Sequence, residues 1–179
     1  MKNHLMALCV LSVAFISGCS TYATNRYSIS ADNVVALKNV AGNKVAVGAF
    51  GATTPGVSSI MCRGVGPIKT PDGESFENFV RNALISEMKI ADVYSDDAGV
   101  KLTGNLDKID FSSASGKWTL GVTLNSSNGN SLSVTEDYEF TTSFYGETAC
   151  NQTGQALMPA VQNVITKLVS NPEFTTLVN

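Results

Sequence analysis

The sequence predicts an α+β domain with the element order β-α-β-β-β-α: a four-stranded mixed sheet, two helices packed on one face of it, and one disulfide. Three observations predict this fold. Apolar residues recur at helical spacing over residues 74–91, apolar and polar residues alternate from residue 100 to residue 140, and a second helical stripe covers residues 156–169. The length of 179 residues suits one domain.

The first predicted strand is the apolar run at residues 44–50, Lys-Val-Ala-Val-Gly-Ala-Phe. A continuous run of this length is typical of a strand that is covered on both faces, so we expect it in the centre of the sheet. Residues 51–73 are rich in Gly, Pro and Ser and are predicted to form a loop. This loop is longer than a simple connection requires.

The remaining elements follow from periodicity. The first helix has an apolar stripe of Phe76, Phe79, Val80, Ala83, Leu84, Met88 and Ala91. The alternation after residue 100 changes phase near Asp107 and Lys108, which predicts a strand with a bulge. Asn128-Gly129 marks a tight turn in a three-strand meander. The last helix, residues 156–169, tolerates Pro159 only in its first turn.

The amino terminus has the layout of an export signal, with Lys2 followed by an apolar run over residues 5–16. A membrane-spanning helix needs roughly 20 apolar residues, so this shorter run indicates a removable segment. Ile16-Ser17-Gly18-Cys19 resembles the lipobox of bacterial lipoproteins. The resemblance implies cleavage before Cys19 and acylation of that residue. The alternative is an ordinary secretory signal that is cut near Gly18 and leaves Cys19 unmodified.

Three segments are therefore expected: a lipoprotein signal peptide at residues 1–18, a lipidated cysteine with a flexible tether at 19–43, and one globular periplasmic domain at 44–179. The alternative within the tether is a short docked segment formed by Val34, Val35, Leu37 and Val40. Acyl chains on Cys19 would tether the protein to a membrane without spanning it. Because Ser20 follows the cysteine in place of the aspartate associated with inner-membrane retention, the resemblance implies the periplasmic face of the outer membrane.

The cysteines divide into two groups. Cys9 leaves with the predicted signal and Cys19 is predicted to be lipidated, so Cys62 and Cys150 remain as one pair in an oxidising compartment. A disulfide between them would stabilise the fold by about 4–5 kcal/mol in the chain-entropy description. The alternative is a pair of free or redox-active thiols, although neither residue lies in a Cys-x-x-Cys motif.

Composition narrows the functional classes. Asp and Glu number 15 against 12 Lys and Arg, and no basic cluster is present, so we expect no nucleic-acid partner. The only histidine, His4, lies in the predicted signal. A mature protein without imidazole lacks Ser-His-Asp and Cys-His nucleophiles and His-containing zinc sites. The sequence therefore predicts a protein that is not an enzyme and binds no metal or cofactor. The alternative is an enzyme that uses only carboxylates, Ser or Lys.

The loop around Arg63 is the one candidate ligand or partner site. Arg63, Gly64 and Gly66 precede a helix and would offer a guanidinium and backbone amides to a lipid phosphate or a peptidoglycan carboxylate. The alternative is structural: the glycines serve turns and Arg63 pairs with a local carboxylate. Ser86 and Lys89 match Ser-x-x-Lys, but the companion motifs of penicillin-binding proteins are missing, so no catalytic role is predicted for them.

The element order behind a lipobox resembles a group of small envelope lipoproteins, over residues 44–170 and in topology only. The group includes the lipopolysaccharide-assembly lipoprotein, auxiliary lipoproteins of lipid-transport systems, and the amino-terminal-type domain of curli and exopolysaccharide secretion lipoproteins and of TolB. The resemblance implies a non-enzymatic accessory or scaffold component that binds envelope proteins. The alternative is a binding module for lipid, glycan or peptidoglycan fragments. The sequence does not define the oligomeric state.

Overall fold

The computed structural model describes residues 21–40, 42 and 44–179, so the predicted signal peptide and Cys19 lie outside the described residues. The α+β fold class is confirmed. The strands and α-helices in chain order are β1 (Tyr22–Ala23), α1 (Ala31–Val40), β2 (Val45–Ala52), β3 (Ser59–Cys62), β4 (Gly66–Lys69), α2 (Phe76–Ile90), β5 (Val100–Ser112), β6 (Lys117–Ser126), β7 (Ser131–Glu139), α3 (Gly146–Val169) and α4 (Phe174–Val178), and a 3-10 helix (Pro71–Gly73) precedes α2.

The main sheet has the order β2-β5-β6-β7, with β2 parallel to β5 and the other neighbours antiparallel. The predicted four-stranded mixed sheet and its meander are therefore confirmed. The predicted bulge is present as a register shift between Leu106 and Lys108. Gly129 has φ of 94°, as the tight turn between β6 and β7 requires.

The prediction that residues 44–50 form a central strand is wrong, because β2 is an edge strand. Residues 45–48 and Phe50 are nonetheless buried, which explains the apolar run, whereas Ala49 is exposed. The exposed side of β2 is closed by the Arg81 side chain, which donates hydrogen bonds to the carbonyl oxygens of Gly48 (2.6 Å) and Val47 (3.2 Å). An edge closed in this way cannot add another strand at these carbonyls.

Both long helices pack against one face of the main sheet, as predicted. This face carries the fully buried residues of β6, which are Trp118, Leu120, Val122 and Leu124. The indole nitrogen of Trp118 donates a hydrogen bond to the Thr153 carbonyl in α3 at 2.9 Å. The opposite face is polar, as Thr119 and Asp137, directly paired across β6 and β7, illustrate.

The structure corrects the prediction of a loop over residues 51–73. Strands β3 and β4 form a hairpin within it, and β1 pairs in parallel with β4, so a second, three-stranded sheet has the order β1-β4-β3. These strands have four residues or fewer, which is too short for an alternating pattern to reveal them. Their pairing is a long-range property of the fold.

Helix α3 begins at Gly146, well before the predicted start at residue 156, and Pro159 lies inside it. The early part of α3 buries small side chains in place of a large apolar stripe; these residues are Ala149, Cys150, Thr153 and Gly154. Strand β1 lies against this part of α3: a Cβ atom added to Gly154 would lie 3.5 Å from the Cβ atom of Tyr22, at van der Waals contact, so small side chains fit here. The spacing of large apolar residues therefore did not predict the first turns of α3, before residue 156.

The predicted flexible tether over residues 19–43 is wrong for residues 21–40. These residues form β1 and α1, and α1 packs against both α2 and α3. Leu37 of α1 is completely buried and Val34 is 8% exposed. Buried apolar side chains in α1 make the segment part of the hydrophobic core.

Leu37 and Val35 provide a matched test of this correction, because both lie in α1 while Val35 is 58% exposed. We predict that Leu37→Ala lowers the free energy of unfolding by about 2–5 kcal/mol, since it leaves a cavity in the core. Val35→Ala should change it by less than about 0.5 kcal/mol. Urea unfolding followed by circular dichroism measures both values. Equal, small effects would show that α1 is not part of the core.

Candidate functional site

The disulfide predicted between Cys62 and Cys150 is present, with a Cα–Cα distance of 5.8 Å. It joins the end of β3 to the second turn of α3, and both cysteines are fully buried. The bond therefore fastens the small sheet to the long helix. Its environment is the core and not an exposed reactive surface.

The Arg63 loop is a tight turn between β3 and β4. Arg63 and Gly64 have φ of 48° and 68°, and the Val65 amide donates to the Cys62 carbonyl at 2.9 Å. Two positive φ values are typical of the type I′ turn that links short hairpins. Gly66 lies in β4 and is buried.

The Arg63 guanidinium is occupied by neutral oxygen atoms of the protein. It donates to the Ser113 hydroxyl (2.8 Å), the Ser113 carbonyl (2.7 Å) and the Phe144 carbonyl (3.1 Å). The structural alternative expected a carboxylate partner, but the ion pairs among the described residues do not include Arg63. Most N–H donors of the guanidinium thus bind the β3–β4 turn to the turn that contains Ser113 and to the loop that contains Phe144. The arrangement favours a structural role for Arg63 over anion binding.

A cleft with a volume of about 430 Å³ lies between the main sheet, the small sheet and the start of α2. Its walls include the half-buried side chains of Val57, Ile60 and Ile109, and its floor includes the buried Phe76 and Leu106. This volume lies within the usual range for ligand and peptide pockets. None of these residues was a predicted site residue.

The bulge in β5 creates the apolar side of the cleft. Before the bulge Leu106 pairs with Val122, and after it Ile109 pairs with Leu120. Val122 and Leu120 lie on the same buried face of β6, so the extra residue returns Ile109 to the side of Leu106. The phase change at Asp107 and Lys108 was therefore the one sequence signal that pointed to this site.

Strand β5 also extends beyond β2. The last β2–β5 pair is Ala52 with Leu106, whereas β5 continues to Ser112. Within the part of the chain that the structure describes, residues 108–112 pair only with β6. Their other side has no strand partner. Two backbone groups near it are already bound to side chains, because the Phe111 amide donates to the Asp110 carboxylate and the Thr53 hydroxyl donates to the Asp107 carbonyl, both at 2.8 Å. An unpaired strand edge can accept an extended segment once such groups are released.

The polar side chains that line the cleft differ in the number of hydrogen bonds that they form within the protein. Glu77 is buried and accepts a hydrogen bond from the Gly56 amide at 2.9 Å. Asp107 accepts from Asn105 and Thr123, both at 2.6 Å. The exposed side chain of Lys108 has no hydrogen bond or ion pair with the described residues, and the exposed carboxylate of Asp110 accepts from the Phe111 amide at 2.8 Å. The interior of the cleft is thus apolar, and its uncommitted charge lies at the rim.

A second group missed by sequence reasoning surrounds Glu87, a fully buried residue of α2. Its Oε1 atom accepts from the Tyr27 hydroxyl (2.5 Å), the Ser30 amide (2.8 Å) and the Asn33 side-chain amide (3.4 Å). Asn33 also accepts from Thr166 in α3 at 2.6 Å. We call Tyr27, Ser30, Asn33, Glu87 and Thr166 the Glu87 cluster. It joins α1 and the segment before it to α2 and α3.

The side chains of the Ser-x-x-Lys match, Ser86 and Lys89, are each bound elsewhere. The Ser86 hydroxyl donates to the Asn82 carbonyl in its own helix, and the Lys89 amine lies 5.1 Å from the centre of the Tyr94 ring. Over residues 21–40, 42 and 44–179, no three His, Cys, Asp or Glu side chains are grouped so that they would hold a metal ion. No helix in these same ranges has both the length and the apolar character for crossing a membrane.

Burial and the neighbouring Glu87 carboxylate raise the pKa of Tyr27 far above its ordinary value of 10.0. The folded state therefore keeps the Tyr27 proton at a pH where the unfolded chain releases it, so this contribution to stability is complete below pH 10 and declines above it. We predict that the wild-type free energy of unfolding falls as pH rises above 10, and that Tyr27→Phe makes this slope shallower. Urea titrations from neutral to alkaline pH measure it.

The control for this prediction is Tyr145→Phe, which removes an exposed phenol. It should leave the slope close to that of the wild type. Identical slopes for the wild type and Tyr27→Phe would show that Tyr27 is not held by Glu87.

Comparisons with known proteins assign no family to this chain. No protein-family model matches it, and no curated protein matches it. Among solved structures, it is similar to a candidate lipoprotein from Caulobacter crescentus CB15, with 13% identity, a TM-score of 0.29, and coverage of 78% of this chain and 94% of that chain. At these values the similarity is too distant to support a function.

Proposed function

We propose that the chain is the precursor of a lipoprotein that is anchored through acylated Cys19 to the periplasmic face of the outer membrane. Its support is the lipobox-like Ile16-Ser17-Gly18-Cys19 at the end of a short apolar segment. The buried Cys62–Cys150 disulfide is consistent with an oxidising compartment. Residues 1–18 are removed in this proposal.

The anchored domain acts as a non-enzymatic accessory component that binds an extended segment of an envelope protein. One observation carries this part of the proposal: the open edge of β5 at residues 108–112 runs beside the apolar cleft. An added strand would form main-chain hydrogen bonds with this edge and place alternate side chains in the cleft.

The lining of the cleft argues against a glycan or peptidoglycan ligand. Such ligands are recognised by several convergent polar groups in a pocket. Here Glu77 is committed to Gly56, and Asp107 is committed to Asn105 and Thr123. An apolar side chain can be buried in this interior at no cost in hydrogen bonds, whereas a sugar hydroxyl would be left without a hydrogen-bond partner.

The second candidate is a lipid-binding module, and the apolar walls of the same cleft favour it. An acyl chain would use Val57, Ile60 and Ile109 but would leave the backbone groups of the β5 edge unpaired. The two candidates therefore differ in the chemical nature of whatever contacts Ile109.

We predict that a photo-crosslinking amino acid at position 109, introduced in living host cells, forms an adduct with an envelope protein. Mass spectrometry identifies the captured molecule. Ile60→Asp should reduce the adduct about tenfold or more, because it places a charge in the apolar wall that faces the bound segment. Met61→Asp is the matched control, since Met61 is the next residue of β3, is 61% exposed and does not line the cleft.

The outcomes separate the candidates. A protein adduct that Ile60→Asp removes and Met61→Asp preserves supports the accessory function. A lipid adduct with the same dependence replaces it with the lipid-binding module. An adduct no stronger than that from Ser133, an exposed residue on the polar face of the sheet, contradicts both.

A further inference from the structure

Phe144 and Tyr145 are the most exposed large apolar residues of the described chain, at 93% and 75%. They are neighbours in space as well as in sequence, with ring centres 6.1 Å apart in an edge-to-face arrangement. Single exposed apolar residues are common on protein surfaces, but a projecting aromatic pair marks an interaction surface. Aromatic side chains are enriched where proteins meet the membrane interface.

The aromatic pair is held in a fixed position. The Phe144 carbonyl accepts a hydrogen bond from Arg63 at 3.1 Å, and the Tyr145 amide donates to the Ser143 hydroxyl at 3.2 Å. Arg63 in turn binds Ser113 in the turn between β5 and β6. The backbone of the pair is therefore fastened to two turns of the body, and the rings project from it.

The amino-terminal segment enters the body toward this same end. Tyr22 pairs with Ile68 in a parallel arrangement, so the chain before Tyr22 points toward Gly66 and the Arg63 turn. The contacts that this segment makes along α3 indicate the same direction. Tyr22 lies against Gly154, while the Ser28 carbonyl accepts a hydrogen bond from Gln162, further toward the carboxyl end of α3. Tracing the chain backward from Ser28 to Tyr22 therefore leads toward the start of α3 at Gly146.

The distance from Tyr22 to the proposed anchor is short. Cys19 is three residues earlier, so the connection spans at most about 10 Å even when fully extended. The length of α3 from Gly154 to Gly146 is similar, about 12 Å. An acylated Cys19 thus holds the body close to the membrane, with the Phe144–Tyr145 end directed toward it.

We propose that Phe144 and Tyr145 insert into the headgroup region of the phospholipid leaflet that holds the acyl chains of Cys19. Tyrosine suits this position because its ring is apolar and its hydroxyl remains hydrated. The guanidinium of Arg63 lies near the same surface, and the exposed carboxylate of Glu147 opposes its charge. Apolar contact therefore contributes more than charge. This inference rests on the proposed lipidation of Cys19.

The test uses the lipidated protein purified from host membranes and reconstituted in phosphatidylcholine–phosphatidylglycerol vesicles that contain acyl-brominated lipid. Tyr145→Trp introduces a fluorescent reporter at the aromatic pair. Val35→Trp is the control, because Val35 is 58% exposed and lies in α1. Its neighbour Asn33 contacts Gln162, which is about 24 Å along α3 from Gly146. Buried Trp118 is common to both variants.

Both variants should float with the vesicles, and the brominated lipid should remove most of the emission from position 145 but not from position 35. Flotation of both variants with equal quenching would overturn the membrane contact and leave the lipid anchor intact. Failure to float would overturn the anchor itself, and the inference with it.

Discussion

The buried carboxylate of Glu87 is the contact on which the arrangement of the amino-terminal segment depends. It accepts hydrogen bonds from Tyr27, Ser30 and Asn33, so residues that have no apolar stripe of their own are bound to α2. Leu37 then completes the core between the helices. All three donors bind Oε1, and the buried Oε2 atom has no hydrogen-bond partner among the described residues, so removing the segment would leave both carboxylate oxygens without a donor. The segment is thus a structural part of the domain, and its first described element, β1, begins three residues after Cys19 in the sequence.

The proposed binding surface arises from a mismatch in strand length. Strand β2 ends at Ala52, while β5 continues to Ser112 and bulges so that Ile109 remains on the apolar side. The small sheet then supplies Ile60 as the facing wall. Elsewhere the edge of β2 is closed by Arg81, so the molecule protects one part of its sheet margin and leaves another open. An open edge beside an apolar cleft is the geometry that strand addition requires.

Much of this fold is predictable from local patterns, and the rest depends on long-range contacts. The stripe of α2, the alternation of β6 and the turn at Gly129 are local, and two remaining cysteines define the disulfide. Helix α1 is not predictable in this way, because its buried face contains Asn33, whose partners come from distant helices. The early turns of α3 bury small residues that fit against β1 and form no large stripe. The cleft was signalled only by the bulge, since its other wall comes from strands too short to recognise.

The mass of the amino-terminal peptide of the protein isolated from host membranes tests the central claim most directly. The account predicts a peptide that begins at Cys19 and carries acyl chains on that residue, with residues 1–18 absent. Such a peptide would place the acyl chains about 10 Å or less from the folded body. A peptide that contains an unmodified Cys19 would contradict the account, because the acyl chains proposed to anchor the body would then be absent.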